Sequence, residues 1–202
     1  MNLRESETRK NLLRAFAGES QARNRYTMAA GKAAELKLQA IQQIFLFTAD
    51  QEKEHAEIFY KHLKELNGEN LEIDGTYPIE VYDDARTLLE AARHNEYEEY
   101  EHVYPAFAKT AQEEGFLAVA ASFRQIAEIE KIHGDRFGQI ATLMERNELF
   151  QTDTEEIYMC LNCGHIYTGK KVPETCPVCK HDRGYYIRID MAPFTRGASI
   201  SK

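Results

Sequence analysis

Two Glu-x-x-His motifs lie in separate long stretches of the sequence, one from Glu52 to His55 and one from Glu130 to His133. Residues three apart on an α-helix share a face, so each motif directs a carboxylate and an imidazole at a common point. In both stretches the motif continues an apolar stripe of the kind that faces a protein core. An unpaired ionised carboxylate is costly there, and a bound cation removes that cost. These four residues are therefore predicted to bind metal.

Two further helical stretches add three inward carboxylates. Glu19 lies on the apolar stripe of the first stretch, and Glu96 and Glu99 lie with Val103 on that of the third. One glutamate from each of two helices, with Glu-x-x-His from the other two, is the pattern of ferritin-like di-iron or di-manganese bundles. Carboxylates mixed with imidazole favour iron or manganese, although ligand type does not exclude zinc. Surface ion pairs in a Glu-rich protein are the alternative interpretation.

The four cysteines form two Cys-x-x-Cys pairs, Cys160 with Cys163 and Cys176 with Cys179. Two such pairs about a dozen residues apart are typical of a tetrahedral thiolate site. The spacing fits either a structural zinc ribbon or a redox-active single iron. Two disulfides are the alternative, which the lack of a signal peptide disfavours.

Composition narrows the class of protein. The chain has 202 residues and a formal net charge of −8, with no basic stripe to attract a nucleic acid. No hydrophobic run approaches membrane-spanning length, so no membrane partner is expected. A polar N-terminus and reduced, metal-binding thiols predict a cytoplasmic location.

The helical patterns predict a mainly α fold, a four-helix bundle with a small β module after it. The predicted helices cover residues 5–36, 40–66, 85–114 and 116–147. Residues 67–84 carry Gly, Asn and Pro without a helical stripe, and this long crossover allows helices two and three to run parallel. Pro105 is predicted to kink the third helix just after Tyr104.

The predicted domain boundaries follow from this pattern. Residues 1–147 are predicted to form the bundle, 148–157 a connector, and 158–202 the small β module that holds the four cysteines. Short β-like pieces and turn residues in the last segment are typical of a module stapled by a metal.

Several phrases of the sequence together resemble the rubrerythrin family, in the same order over nearly the entire chain. They are FAGESQARNRY, TADQEKEHA, VYPAFAKTAQEEGF, CLNCG and CPVCKH. The resemblance implies a ferritin-like di-iron bundle joined to a rubredoxin-like module with one iron on four cysteines. It also implies a peroxidase that reduces hydrogen peroxide to water in oxidative-stress defence. With a redox bundle attached, iron is favoured over zinc at the cysteines.

The resemblance also implies residue roles. The two bundle irons would be held by Glu19, Glu52, His55, Glu96, Glu99, Glu130 and His133. Glu52 and Glu130 would bridge them, and one iron would exchange Glu99 for His55 with oxidation state. Tyr26 and Tyr104 match the tyrosines that hydrogen-bond to ligand carboxylates in the family. Glu99 and the two tyrosines are the predicted catalytic residues, with Glu99 or Tyr104 as the proton donor.

Electrons are expected from an external reductase or carrier protein in an NADH-linked chain. The resemblance implies a head-to-tail homodimer, or a higher homo-oligomer, in which the module of one chain serves the bundle of the other. His165 and Lys180 depart from free rubredoxins, which usually have an aromatic residue and a glycine at these positions. Two alternatives remain, a ferroxidase that handles iron and a structural protein with a zinc ribbon.

Overall fold

The computed structural model describes residues 2–193, so the end of the predicted C-terminal domain, 194–202, lies outside the described residues. The fold is mainly helical, as predicted, with a small sheet near the C-terminus. The helices are α1 (Glu7–Glu35), α2 (Gln39–His62), α3 (Ala85–Glu98), α4 (Tyr104–Glu113) and α5 (Leu117–Glu145). The strands are β1 (Gln151–Cys160), β2 (Ile166–Lys171) and β3 (Tyr186–Arg188).

Local sequence signals set the helix ends. The side-chain oxygens of Ser6 and Asp84 accept hydrogen bonds from backbone N–H groups in the first turns of α1 and α3. Lys37 and Asn147 follow the ends of α1 and α5 with φ of 57° and 58°, and Gly115 separates α4 from α5 with φ of 89°. Left-handed residues at these positions stop the helices and turn the chain back.

The bundle core has two halves, one on each side of the buried acidic residues. One half contains the start of α1, the end of α2, α4 and the start of α5. The other contains the C-terminal part of α1, the starts of α2 and α3, and the end of α5. Because α2 and α3 begin in the same half, they run parallel, and the crossover of residues 67–84 returns the chain along the bundle. These residues form no helix or strand.

The third predicted helix is interrupted before Tyr104 rather than after it. Residues Glu99–Val103 form a π-helical turn between α3 and α4, and the Tyr104 N–H bonds to the Glu99 carbonyl five residues earlier. Pro105 disturbs the turn that precedes it, because its ring meets the carbonyl of Glu101. The extra residue shifts the inward stripe, so Tyr104 is buried and Val103 is only partly buried.

The C-terminal module is an antiparallel sheet of order β2-β1-β3. Strand β1 begins at Gln151, within the segment predicted to be a connector. The module packs on the start of α2, where Ile187 contacts a cluster that includes Ala40. Gly184 approaches the Lys37 carbonyl oxygen so closely that a Cβ atom there would overlap it. The module therefore rests on the turn between α1 and α2.

Candidate functional site

The bundle interior holds two groups of potential ligand atoms, each within 4.8 Å of one another. The first group is Glu19, Glu52, His55 and Glu130; the second is Glu52, Glu96, Glu130 and His133. All six residues are buried. Two of the carboxylates, Glu52 and Glu130, belong to both groups. The arrangement can therefore hold two cations next to each other, with two carboxylates between them.

The histidine nitrogens show that the site fits metal ions. The Nδ1 atom of His133 lies 3.0 Å from a Glu52 oxygen, 2.9 Å from a Glu130 oxygen and 3.7 Å from a Glu96 oxygen. His55 Nδ1 lies 3.1 Å from Glu52 and 2.9 Å from Glu130. One imidazole N–H cannot serve three acceptors well, whereas a cation accepts all of these lone pairs at once.

Unpartnered polar atoms lead to the same conclusion. Within the described residues, these buried atoms lack a hydrogen-bond partner: Glu19 Oε2, Glu52 Oε1, Glu96 Oε2, both Glu130 oxygens and both His133 nitrogens. Buried polar groups are normally paired, and an exception calls for a cause such as an ion. Four carboxylates and two imidazoles suit iron or manganese.

Electrostatics show how strongly the metal-free site holds protons. Burial lowers the pKa of His133, but Glu130, Glu52 and Glu96 outweigh it and raise that pKa to about 12. Burial also lowers the pKa of His55, but hydrogen bonds and charge interactions with Glu19 and Glu52 outweigh it and raise this pKa to about 10. Burial raises the pKa of Glu19 to about 8. Cations that bind here must displace these protons.

The two predicted tyrosines contact ligand carboxylates. The Tyr26 hydroxyl donates to Glu96 Oε1, and the Tyr104 hydroxyl donates to Glu19 Oε1. Both tyrosines are buried, and burial raises both of their pKa values well above the usual range. Each tyrosine therefore fixes one carboxylate oxygen and leaves the other directed at the ligand group.

Glu99 is the predicted ligand that the structure places outside both ligand groups. It lies on the π-helical turn, is partly buried, and lines a cavity beside Gly18 and Tyr104. Burial, then the charges of Glu19 and Glu96, raise the pKa of Glu99 well above its usual range. In this structure Glu99 lies at the edge of the site in surroundings that favour its protonated carboxyl group. His55 belongs to the first ligand group, with Glu19, Glu52 and Glu130.

The four cysteines come together in the C-terminal module, where Cys160 and Cys176 are buried. The Sγ atoms of Cys160 and Cys179 are 3.8 Å apart, as are those of Cys163 and Cys176. A tetrahedral site with metal–sulfur bonds of about 2.3 Å has edges of about 3.8 Å. Disulfide sulfurs would lie about 2.0 Å apart. The cysteines are free thiols positioned for one metal ion.

Two similar knuckles build this thiolate site. The N–H of Gly164 donates to the Cys160 carbonyl, and the N–H of Lys180 donates to the Cys176 carbonyl. Gly164 has φ of 76° and Lys180 has φ of 64°, so Lys180 adopts the conformation that glycine usually supplies. The backbone N–H of His181 is the main cause that lowers the pKa of Cys179 to about 6. Such N–H groups favour the thiolate that a metal requires.

Family models match both parts of the chain. The Rubrerythrin model matches residues 10–141, and the model for the rubredoxin-like domain of rubrerythrin matches residues 158–187. The chain belongs to the rubrerythrin family. Rubrerythrin-1 of Clostridium acetobutylicum is 44% identical over 187 residues, which cover 92% of this chain and 95% of that protein. Rubrerythrin of Nitratidesulfovibrio vulgaris is 40% identical over 185 residues, or 92% and 95% of the two chains.

Solved structures agree with this family assignment. Fully reduced, all-ferrous nigerythrin has a TM-score of 0.61 at 26% identity, over 91% of this chain and 90% of that one. A Desulfovibrio desulfuricans bacterioferritin has a TM-score of 0.62 at 23% identity, over 70% and 82% of the two chains, which supports the ferritin-like fold alone. The chain thus carries a ferritin-like di-iron site with carboxylate and histidine ligands and a four-cysteine rubredoxin-like site.

The predicted iron cofactors are confirmed by these findings. None of the described helices is long and apolar enough to cross a membrane.

Sequence reasoning missed Arg25 and Tyr77, which line the cavity beside Glu99. Arg25 precedes a recognised tyrosine, but its side chain shares no stripe with the ligands. Tyr77 lies in the crossover, where no periodicity indicates which side chains face the bundle.

Proposed function

We propose that the protein reduces hydrogen peroxide to water at the bundle site, with electrons delivered through the four-cysteine site. The observation that carries this proposal is the pair of buried ligand groups that share two carboxylates. Two adjacent redox metals suit a two-electron reaction, and a thiolate-iron module suits the stepwise return of single electrons. An iron-storage or ferroxidase role leaves this attached module without a purpose.

The proposed ligands follow from the two groups. Glu19 and His55 would hold one iron and Glu96 and His133 the other, while Glu52 and Glu130, which belong to both groups, would serve both positions. A reduced iron pair held by these residues would supply two electrons for cleavage of the O–O bond. The carboxylates would compensate the charge of the irons among buried ligand residues, while Tyr26 and Tyr104 fix the orientation of Glu96 and Glu19.

Glu99 is proposed to manage the protons of the reaction. It lies at the inner wall of a cavity, and its environment favours the protonated form, so it can donate a proton to a leaving oxygen. As the family resemblance implies, we propose that Glu99 replaces His55 as a ligand in the oxidised state. Crystal structures of oxidised and reduced protein test this exchange. An unmoved Glu99 in both would refute it.

The reduction of peroxide is tested by anaerobic single turnover. Chemically reduced protein should consume about one hydrogen peroxide per bundle site, because the chemistry resides there. Cys179→Ser should keep this single turnover and lose steady-state turnover driven by an external one-electron donor. Wild-type steady-state rates in that variant would show that the four-cysteine site is structural, and a colourless protein would indicate zinc there.

Electron delivery is proposed to cross between chains. The module contacts α2 near Ala40, twelve residues before Glu52, which corresponds to about 18 Å along the helix. A head-to-tail homodimer would instead bring the partner chain's module to the bundle site. Mixed dimers of Cys179→Ser and Glu52→Ala chains test this, since each chain lacks one centre. Donor-driven activity should reappear on mixing only if electrons pass from one chain to the other.

The physiological donor is proposed to be an external reductase or carrier protein in an NADH-linked chain. Reduced thiols at the four-cysteine site suit a cytoplasmic location. Reconstitution with NADH and a purified reductase tests the donor. Bleaching of the ferric-thiolate colour before peroxide is added would show that electrons first reach the cysteine-bound iron.

A further inference from the structure

A cavity of about 410 Å³ lies between α1, the crossover and the π-helical turn. Its volume falls in the range of pockets that bind small organic ligands, roughly 300–1,000 Å³. The inner wall includes Glu99 and Tyr104, and Tyr104 donates a hydrogen bond to the ligand-group residue Glu19, so the cavity borders the edge of the bundle site. The cavity is open to solvent, because five of its lining residues are exposed: Gly75, Thr76, Pro78, Glu98 and Ala106.

The crossover forms a fixed outer wall of this cavity. The Tyr77 hydroxyl donates to the Arg14 carbonyl at 3.0 Å. Glu80 accepts a hydrogen bond from the Asn95 side chain at 2.8 Å and lies 3.8 Å from the Arg25 guanidinium. These contacts tie the crossover to both α1 and α3 on either side of the cavity. The pocket therefore exists without rearrangement of the segment.

Two polar side chains of the cavity lining, Arg25 and Glu99, can contact a hydroperoxide group. Arg25 is 15% exposed at its side chain, and its Nε and Nη1 atoms are buried without a hydrogen-bond partner among the described residues. Desolvated N–H groups of this kind gain from a bound acceptor oxygen. Gly18 lies between Tyr77 and Glu99, since an added Cβ would be in van der Waals contact with both, 3.7 Å from Tyr77 Cε1 and 3.9 Å from Glu99 Oε1. Arg25 and Glu99 thus place a guanidinium group and a carboxyl group on the lining of one cavity.

The rest of the lining is largely apolar. It includes Ala15 on α1, Val103 on the π-helical turn, Ala106 and Phe107 on α4, and Pro78 on the crossover. The polar residues in this part of the lining are Arg14, Thr76, Asn95 and Glu98. Hydrogen peroxide is about the size of two water molecules and has no apolar surface to cover this wall. A pocket built for it alone needs neither the volume nor the apolar lining. The organic group of a larger peroxide would cover these apolar side chains and exclude water from them, which contributes favourably to the free energy of binding.

We propose that this cavity binds organic hydroperoxides, with the hydroperoxide group between Arg25 and Glu99 and the organic group against the apolar wall. The inference rests on the proposed peroxidase function and extends its substrate class. In the reaction the O–O bond breaks, and two electrons and two protons convert ROOH to ROH and water. The electrons are the two that the proposed peroxidase supplies, and the two protons come from water at the open side of the cavity.

Narrowing the mouth of the cavity tests the inference. Ala106→Trp places a large side chain there, and Ala118→Trp, at an exposed alanine on α5 away from the cavity, is the matched control. The measured quantity is the ratio of kcat/KM for cumene hydroperoxide to that for hydrogen peroxide. We expect saturable turnover of cumene hydroperoxide by the wild type, a fall of at least tenfold in the ratio for Ala106→Trp, and no change for Ala118→Trp.

Binding gives a second readout that does not depend on turnover. Calorimetry should detect binding of 2-phenyl-2-propanol, the alcohol product, to the resting iron-loaded protein, weakened at least tenfold by Ala106→Trp alone. Hydrogen peroxide turnover without cumene hydroperoxide turnover would overturn this inference and leave the proposed function intact. An equal ratio or equal alcohol affinity in the two tryptophan variants would overturn it too. Failure to consume either peroxide in iron-loaded protein would refute the proposed function and this inference together.

Discussion

Loading the metal-free bundle site at pH 7 is expected to release about three protons from three ligands. The pKa is about 12 for His133, about 10 for His55 and about 8 for Glu19. At pH 7 both histidines are protonated, and Glu19 is about nine-tenths protonated. Metal binding requires the neutral imidazole and the ionised carboxylate. The pKa values of Glu96 and Glu130 are also raised, chiefly by burial, so these residues add to the total.

The pH dependence follows from the same values. The proton released by Glu19 falls from about 0.9 at pH 7 to about 0.1 at pH 9, so the sum for the three groups falls from about three to about two. Protons compete with metal below each pKa, so affinity falls as the pH falls. With three or more protons displaced, the constant for filling both positions should drop by at least about 1,000-fold per pH unit below pH 7.

Proton release can be measured with a pH indicator while ferrous iron is added anaerobically to weakly buffered, metal-free protein. Cys179→Ser, which lacks a complete thiolate site, isolates the bundle contribution, and Glu52→Ala, which should lose at least one bundle iron, should release fewer protons than the wild type. Release of fewer than two protons at pH 7 in Cys179→Ser would refute the reasoning. It would mean that the ligand side chains are already largely deprotonated in the metal-free protein at pH 7.

Three further predictions concern assembly. Glu52 belongs to both ligand groups, so Glu52→Ala should lose at least one bundle iron by metal analysis and keep the cysteine-bound iron; full bundle occupancy would contradict the bridging role. Lys180→Gly removes a left-handed lysine and should stabilise the module by about 1 kcal/mol, seen as a higher midpoint for thermal loss of the thiolate-iron colour. Gly184→Ala should displace the module from Lys37 and raise amide hydrogen exchange around Lys37 and Gly184. The control Gly31→Ala, at a site with open space, should leave this exchange unchanged, and equal exchange in the two variants would refute the docking contact.

The sequence by itself determined the helices, the ligand types and the thiolate site. A helix fixes which residues share a face, so the spacing of Glu52 with His55 and of Glu130 with His133 already showed that each pair points inward. The Cys-x-x-Cys spacing similarly defines a local knuckle. These features depend on residues close together in the chain, which is why pattern and resemblance were enough to predict them.

Tertiary structure decided where Glu99 lies and what surrounds it. The π-helical turn moves Tyr104 inward in place of Val103, and it depends on Pro105 together with the packing of the neighbouring helices. The path of the crossover, which carries Tyr77 into contact with α1, follows no periodicity and is set by individual contacts with Arg14 and Asn95. Spacing along a chain fixes the face of a helix, but only packing between distant segments fixes a cavity.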